Sequence, residues 1–463
     1  MTRYKTIFFL FLLFANFGCK SIEATFPDLE SESFEPFSPQ LSMMNVQLEV
    51  DMDPFFKTIE KETPQSFKGG ERFCEGVSYN YNFSRSPIEF KTGVNEIGYT
   101  IRGGFGLRLD YCPLCVTLFG GTSCSIPRIY GSCGIDEPKR RFTMTYGTML
   151  KVNKDFSLTS STELKSFSVK DPCKITFINY DVTDKVKKEF QNELEIMAQK
   201  IDHKISDIDL KSKLDSIWSA LSEPVSIDSY GFLHTNPKQM SVSDIFYKNN
   251  VALFNLNLFF SPFISTNREP ANESNLEYML DYRPLKGFNI VTDIKAGYDS
   301  LSAILTKTLF DYEIPIKGRI LLLKEVKIIG TNHGRLIFKV NFGGARKGTL
   351  YLTGIPSLDE VHQVLSFDDL DFEIKTKSFL LKSSQWLLNR KILNQIKDKS
   401  TIDLSSKFSE LKSTLKSRLT GKIHKGINTQ IQFYDLRISK LLLTSNQIAI
   451  RTNLTGNLKI RID

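Results

Sequence analysis

Apolar residues recur along this chain with two distinct periods. Over 45–50 the pattern alternates, Val46, Leu48 and Val50 against Gln47 and Glu49, which predicts a half-covered strand, and residues 53–62 read as a short amphipathic helix. Strands are predicted at 79–83, 97–101, 107–111, 142–150 and 175–180, divided by Gly, Pro, Asn and Asp. The period then changes. Val182, Val186, Phe190, Leu194, Met197, Ile201, Ile205 and Ile208 are spaced by three or four residues, one stripe on a helix of about 27 residues, roughly 40 Å long. Asp209 is placed to cap a continuation through Leu210, Leu214, Ile217, Trp218 and Leu221 that Pro224 ends. Strands resume at 251–260 and 278–282.

The same order then begins again. Asn289 to Ile294 echoes the first strand and 298–310 the short helix, with strands predicted at 319–329, 335–342, 349–353 and 367–374. A second long helical region starts near Phe379 with Leu381, Leu388, Ile392 and Ile396, and Asp403 is placed to cap Leu404, Phe408, Leu411, Leu415 and Leu419. Strands near 431–433, 436–442, 448–452 and 454–462 close the chain. This predicts a tandem duplication joined near residue 285: an α+β protein of two curved antiparallel sheets, each wrapped on a long amphipathic helix, over 41–284 and 285–463.

The N-terminus changes the setting. Arg3 and Lys5 precede an apolar run of about ten residues, too short to span a membrane, so 1–18 reads as a signal peptide. Gly18-Cys19 resembles a bacterial lipobox, although Asn16 and Phe17 depart from the usual pattern; Cys19 is the expected acylation site, and 19–40, proline-punctuated and acidic, the expected tether. The implied address is the cell envelope, as an outer-membrane lipoprotein facing the periplasm or the exterior. Six further cysteines, Cys74, Cys112, Cys115, Cys124, Cys133 and Cys173, form an even set in an exported chain and predict three disulfides; fifteen connectivities are open. A zinc site at Cys112-x-x-Cys115 with Cys124 and Cys133 is the competing reading.

Composition adds little. The chain has 463 residues, 41% hydrophobic and 24% charged, and its 60 basic against 52 acidic residues give a net +8, too dilute to imply nucleic acid. The five histidines are far apart and form no zinc-hydrolase pair, and neither a Gly-x-Ser-x-Gly elbow nor a phosphate loop occurs. Gly343 to Gly348 reads as a hairpin turn. Ser409-x-x-Lys412, Ser413-x-x-Lys416 and Lys91-Thr92-Gly93 match fragments of penicillin-binding motifs, but in the wrong order and with the serines on a helix whose stripe already explains them. The run Asp368-Asp369-Leu370-Asp371 reads as the solvated face of a strand, with calcium binding or paired glycosidase carboxylates as the alternatives. No catalytic residue, metal or cofactor is predicted.

Five short motifs occur in a fixed order: Ser42-Met43-Met44-Asn45-Val46-Gln47-Leu48-Glu49-Val50, Trp218-x-x-Leu221-x-Glu223-Pro224-Val225, Gly348-Thr349-Leu350-Tyr351-Leu352-Thr353-Gly354-Ile355-Pro356, Phe367-Asp368-Asp369-Leu370-Asp371-Phe372 and Gln385-Trp386-Leu387-Leu388. In this the chain resembles an uncharacterised bacterial family, domain of unknown function 4403, over nearly all of its mature length. That family's architecture is similar to the tubular lipid-binding superfamily, typified by bactericidal/permeability-increasing protein. The resemblance implies lipid held between sheet and helix and carries over no catalytic residues. The expected lining of an apolar tunnel is Val186, Phe190, Leu194, Met197, Ile201, Leu388, Ile392 and Ile396, and the expected function is binding or transfer of a lipid or other long apolar ligand. The alternatives are a structural or interaction protein of the outer membrane with a fully packed core, and a glycan-acting enzyme.

Overall fold

The computed structural model describes residues 22–24, 26–29, 37–118, 120–175, 180–227, 231–270, 275–276, 278–316, 319–345, 347–372, 397–398 and 401–463. Strand β1 (Ser42–Asp51) leads into helix α1 (Asp53–Glu62), and the chain continues through β2 (Gly76–Arg85), β3 (Ile97–Cys112), β4 (Arg140–Val152) and β5 (Leu158–Val169). Helices α2 (Thr183–Ser206) and α3 (Leu210–Ser222) follow, then β6 (Val251–Phe260). The second half opens in the same way with β7 (Phe288–Gly297) and α4 (Tyr298–Leu309), then β8 (Arg319–Asn332), β9 (Arg335–Gly344), β10 (Gly348–Asp359) and β11 (Val364–Phe372). Helix α5 (Ser405–Leu419) and the long strands β12 (Ile427–Leu443) and β13 (Gln447–Ile462) end the chain.

These strands make two curled half-barrel sheets and a central sheet between them, with few helices. The first curled sheet runs β5-β4-β3-β2 and then Ser66–Glu71, all antiparallel, with Glu89–Thr92 and Ile129–Cys133 also on β3. The second is a meander, Glu313–Ile316, β8, β9, β10, β11 and Ile402–Asp403. Bulges at Lys165 on β5, opposite Thr145/Tyr146, at Leu323/Glu325 and Ile328/Gly330 on β8 and at Thr353/Ile355 on β10 increase local twist, which bends the sheets.

The central sheet has eleven strands and joins the halves. Along one edge β13 pairs with β12; along the other it pairs antiparallel with β7, from Gly297↔Gln447 to Phe288↔Gly456, and then parallel with β1, from Val46↔Leu458 to Val50↔Ile462. The switch falls at Gly456. A Cβ there would sit 2.2 Å from the Gln432 carbonyl oxygen and 2.4 Å from Cζ of Phe288, so only glycine permits the backbones to meet. Beside the fork, Arg451 grips Asp293 with two 2.7 Å bonds, donates to the Ser38 carbonyl and lies over the Phe37 ring.

Among the described residues, apolar side chains gather in three cores. Under α2 lie Phe105, Leu107, Phe142, Phe167, Ile175, Val182, Val186 and Phe190 with buried Cys133 and Cys173. Under α4 the packing is mainly aliphatic, with Val326, Ile328, Leu336, Val340, Leu352 and Leu443 around Phe338 and Tyr298. Phe156, Trp218, Met240, Leu276 and Met279 form the third, beneath α3.

Several predicted elements shift. The long helix is 24 residues, Thr183–Ser206, and Asp209 caps α3 by accepting from the Ser212 amide. Residues 278–282 form no strand; Met279 and Leu280 donate singly to the Lys154 and Met240 carbonyls, and Met279 is held by burial beside Trp218 instead of by a ladder. The terminal segments expected as four strands are two, because the bulges at Phe433/Asp435 and Ile438/Lys440 break the alternation of β12 without ending it. Asp368, Asp369 and Asp371 are exposed on β11 as expected of a solvated face. The described parts of 19–40 lie on the second half: Ile22 pairs in parallel with Gly348, the Phe26 ring meets Tyr351 edge-on at 5.8 Å, and Asn332 donates to the Asp28 carbonyl. The signal peptide, Cys19, and the second long helix with Leu388, Ile392 and Ile396 lie outside the described residues.

Candidate functional site

Helix α2 crosses the first curled sheet against β5, and its two ends meet the sheet by different chemistry. At the N-terminal end the start of the helix is tied down covalently. Cys173 is bonded to Cys133, its amide donates to Thr183 Oγ1 at 2.7 Å, and its carbonyl accepts from the Val182 amide. Val186 and Phe190 follow into the core. The Phe190 ring stands edge-on to Phe83 at 4.8 Å, Phe105 at 5.3 Å, Tyr81 at 6.0 Å and Phe167 at 6.3 Å. Helix and sheet are in direct contact here, and each edge-to-face pair adds about 0.5–1.5 kcal/mol beyond its buried area.

From Leu194 onward the contact turns polar. The Tyr146 hydroxyl, on a ring stacked on Tyr99 at 5.2 Å, donates to the Leu194 carbonyl. One turn on, Ala198 is buried, and the next residue on that line, Asp202, accepts from Ser160 Oγ, Thr162 Oγ1 and the Thr162 amide at 2.5–3.0 Å. Thr162 in turn meets Thr148 at 2.9 Å. Burial works to raise the pKa of Asp202, but these three donors outweigh it and hold the carboxyl below its ordinary value. Burial pushes the Tyr99 phenol up to about 12 and the Tyr146 phenol up as well.

The reason for the change is helical geometry. Contacts at Val186, Phe190, Leu194, Ala198 and Asp202 advance by four residues, about 40° per step, whereas the apolar stripe advances by about 10° per step. By Asp202 the sheet-facing line and the stripe are about 100° apart. Leu194, Ile201 and Ile205 are consequently half-buried on the flank of the helix and Met197 is 44% exposed there, while Ile208, past the helix end in the turn to α3, is 46% exposed. Of the predicted lining residues, Val186 and Phe190 lie in the packed core, Leu194 at its margin, and Met197 and Ile201 on the open flank. The stripe made the apolar set visible in the sequence. Asp202, Tyr146, Ser160 and Thr162 were missed; the run Thr159-Ser160-Ser161-Thr162 on β5 signals only the two hydroxyl donors, and nothing in the spacing marks Tyr146 or Asp202.

Beyond the helix turn, α3 and the segment around Leu276 border an open cleft of about 620 Å³, lined by Lys211, Asp215, Trp218, Ser219, Asn275, Leu276 and Tyr278. At the opposite end of the first sheet, disulfides Cys74–Cys115 and Cys112–Cys124 staple the tip, so neither thiol of the Cys112-x-x-Cys115 pair is left for zinc. The described residues contain no group of three His, Cys, Asp or Glu able to hold a metal, and no described helix is long and apolar enough to cross a membrane. Among the described residues one serine–histidine pair occurs, Ser265 Oγ lying 3.3 Å from His234 Nε2. Both are buried, the serine hydroxyl donates to the Asn267 carbonyl, and the imidazole stacks on Phe263 at 4.4 Å. That arrangement builds core and does not present a nucleophile.

Among solved structures, that of a lipopolysaccharide binding protein aligns with 91% of this chain and 99% of its own, at 11% identity and a TM-score of 0.25. P47 of Clostridium botulinum E1 aligns over 90% and 99% at 9% identity and a TM-score of 0.20, and P47 from Clostridium botulinum A2 over 90% and 97% at 9% and 0.21. Scores this low carry no functional argument. No curated protein matches the sequence. Residues 40–462 match the family described as domain of unknown function (DUF4403), and the chain belongs to that family.

Proposed function

We propose that this protein is an exported, non-enzymatic carrier of a lipid or other long apolar ligand, anchored in the cell envelope by acylation of Cys19. The observation that carries the reading is the departure of the α2 stripe from its sheet, which leaves Met197 exposed and Leu194, Ile201 and Ile205 half-buried. From Leu194 to Ile205 this flank runs about 17 Å, most of the length of a fatty acyl chain. Each methylene that leaves water for such a surface contributes at most about 0.8 kcal/mol, so even a partly covered chain is retained. The acyl anchor would hold the body at a membrane from which ligand is taken.

The test is purification of the exported chain without detergent, followed by solvent extraction and lipid mass spectrometry. Near-stoichiometric lipid, lost in Met197→Asp/Ile201→Asp at unchanged melting temperature, supports the carrier; an apo protein that acquires no lipid on mixing with vesicles contradicts it. Phe190→Asp is a poor test, because it places a charge in the packed core. The direct contact of Val186 and Phe190 with the sheet favours a second reading, an interaction protein with filled halves, for which crosslinking would recover a partner and extraction no lipid.

A further inference from the structure

The edge of the central sheet carries a concentration of charge that the carrier reading does not use. Strand Gly421–His424 is the edge strand, paired with β12, and α5 lies along β12 just before it. Between Ser405 and Lys425 there are six basic residues, Lys407, Lys412, Lys416, Arg418, Lys422 and Lys425, and one acidic residue, Glu410. The rest of the chain is close to neutral, since the whole carries only +8. No described carboxylate pairs with any of the six, although elsewhere Arg85, Arg128, Arg141 and Arg451 all have acidic partners.

The arrangement around the helix is as telling as the count. Projected at about 100° per residue, Leu404, Phe408, Leu411, Leu415 and Leu419 fall within an arc of about 80°. Lys407 and Arg418 border one side of that arc and Lys412 and Lys416 the other, while Ser406, Ser409, Ser413 and Ser417 occupy the back. β12 covers the stripe only in part: no residue of α5 is buried, Phe408 and Leu415 are half-covered, and Leu411 and Leu419 are 45% and 40% exposed. A soluble helix facing only water or only protein has no use for an apolar stripe left open between two rows of unpaired cations. Such a helix suits the boundary of an anionic bilayer, where leucines enter the acyl region and flanking Lys and Arg reach up to phosphates.

We propose that α5 and the edge hairpin, residues 405–425, form a docking surface for an anionic lipid bilayer. The surface acts whether or not the flank of α2 carries ligand, so the two readings fail separately. In the experiment the full chain with Cys19→Ser, which leaves no acyl anchor, is titrated with vesicles of phosphatidylcholine alone and with 30% phosphatidylglycerol. Binding is expected only to the anionic vesicles and to weaken steeply as salt rises. Replacing Lys407, Lys412, Lys416 and Arg418 together by Gln is expected to weaken it by about 600-fold, near fivefold per charge, at unchanged melting temperature. Leu411→Ser, which keeps every charge, is expected to weaken it by about tenfold. Equal binding to neutral vesicles, or an unaffected charge variant, overturns the proposal. So does failure of the parent chain to bind anionic vesicles, which leaves an acidic protein segment as the occupant. Vesicle binding by a protein that extracts no lipid supports docking and contradicts the carrier.

Discussion

The two ends of α2 are built from one uninterrupted apolar stripe and yet do opposite things. Its first three turns are tied by Cys133–Cys173 and buried among Tyr81, Phe83, Phe105 and Phe167; its last three are held through Asp202 and the Leu194 carbonyl, with apolar residues turned outward. The difference shows that fixing a helix and filling a core are separable tasks. Where apolar packing does both, the stripe is consumed; where Ser160, Thr162 and Tyr146 hold the helix by hydrogen bonds, the stripe is left partly uncovered.

Phe190→Ala should cost the most, about 3–5 kcal/mol, because the surrounding rings cannot close the cavity. Chemical denaturation of the purified protein would show it as a lowered midpoint at similar slope. Replacing Cys133 and Cys173 together by Ser should cost about 2–4 kcal/mol, since the bond closes a 40-residue segment and pins the start of the helix. The bond Cys112–Cys124, separated by 12 residues, should matter less to global melting, and a loss there equal to that at Cys133–Cys173 would remove the special standing of the buried end.

Asp202→Ala should cost about 1–2 kcal/mol and act locally, raising amide exchange over residues 194–206 while 183–190 stays protected. Acid should do the same. The folded pKa of Asp202 lies below the unfolded value of about 3.9, so its contribution is complete above that value and disappears as pH falls through the folded one. Amide exchange compared at pH 5 and pH 3 should therefore open the second half of α2 before the first. Met197→Ser, at an exposed position, should change stability by less than about 0.5 kcal/mol. A large loss there would mean that the open flank is structural after all.

How far this was legible in the sequence follows the same division. Strands with apolar alternation and the helices α1, α2 and α4 could be read from periodicity, because burial of one face dictates the pattern. Strand β5 was not read: its inward residues include Thr162, and its partner is a carboxylate on a helix forty residues away, so no apolar period marks it. Tyr278 to Tyr282 misled in the other direction, aromatic residues in a segment that buries Met279 and meets strand Pro237–Val242 through a single backbone hydrogen bond, without a ladder. Val186 and Phe190 could be proposed as sheet-facing from the stripe alone. That Met197 would face outward could not, because the twist of the sheet beneath a helix is a property of the assembled fold. Disulfide pairing likewise depends on which strands lie side by side.

In the proposed carrier the outer flank of the second half of α2 receives an apolar chain. This is tested most directly by photolabelling the native protein with a diazirine-bearing fatty acid and mapping the adducts by peptide mass spectrometry. Adducts are expected between Leu194 and Ile208 and should be competed away by unlabelled lipid. Saturable adducts confined to the other face of the molecule, or none at lipid concentrations that saturate binding, would contradict it.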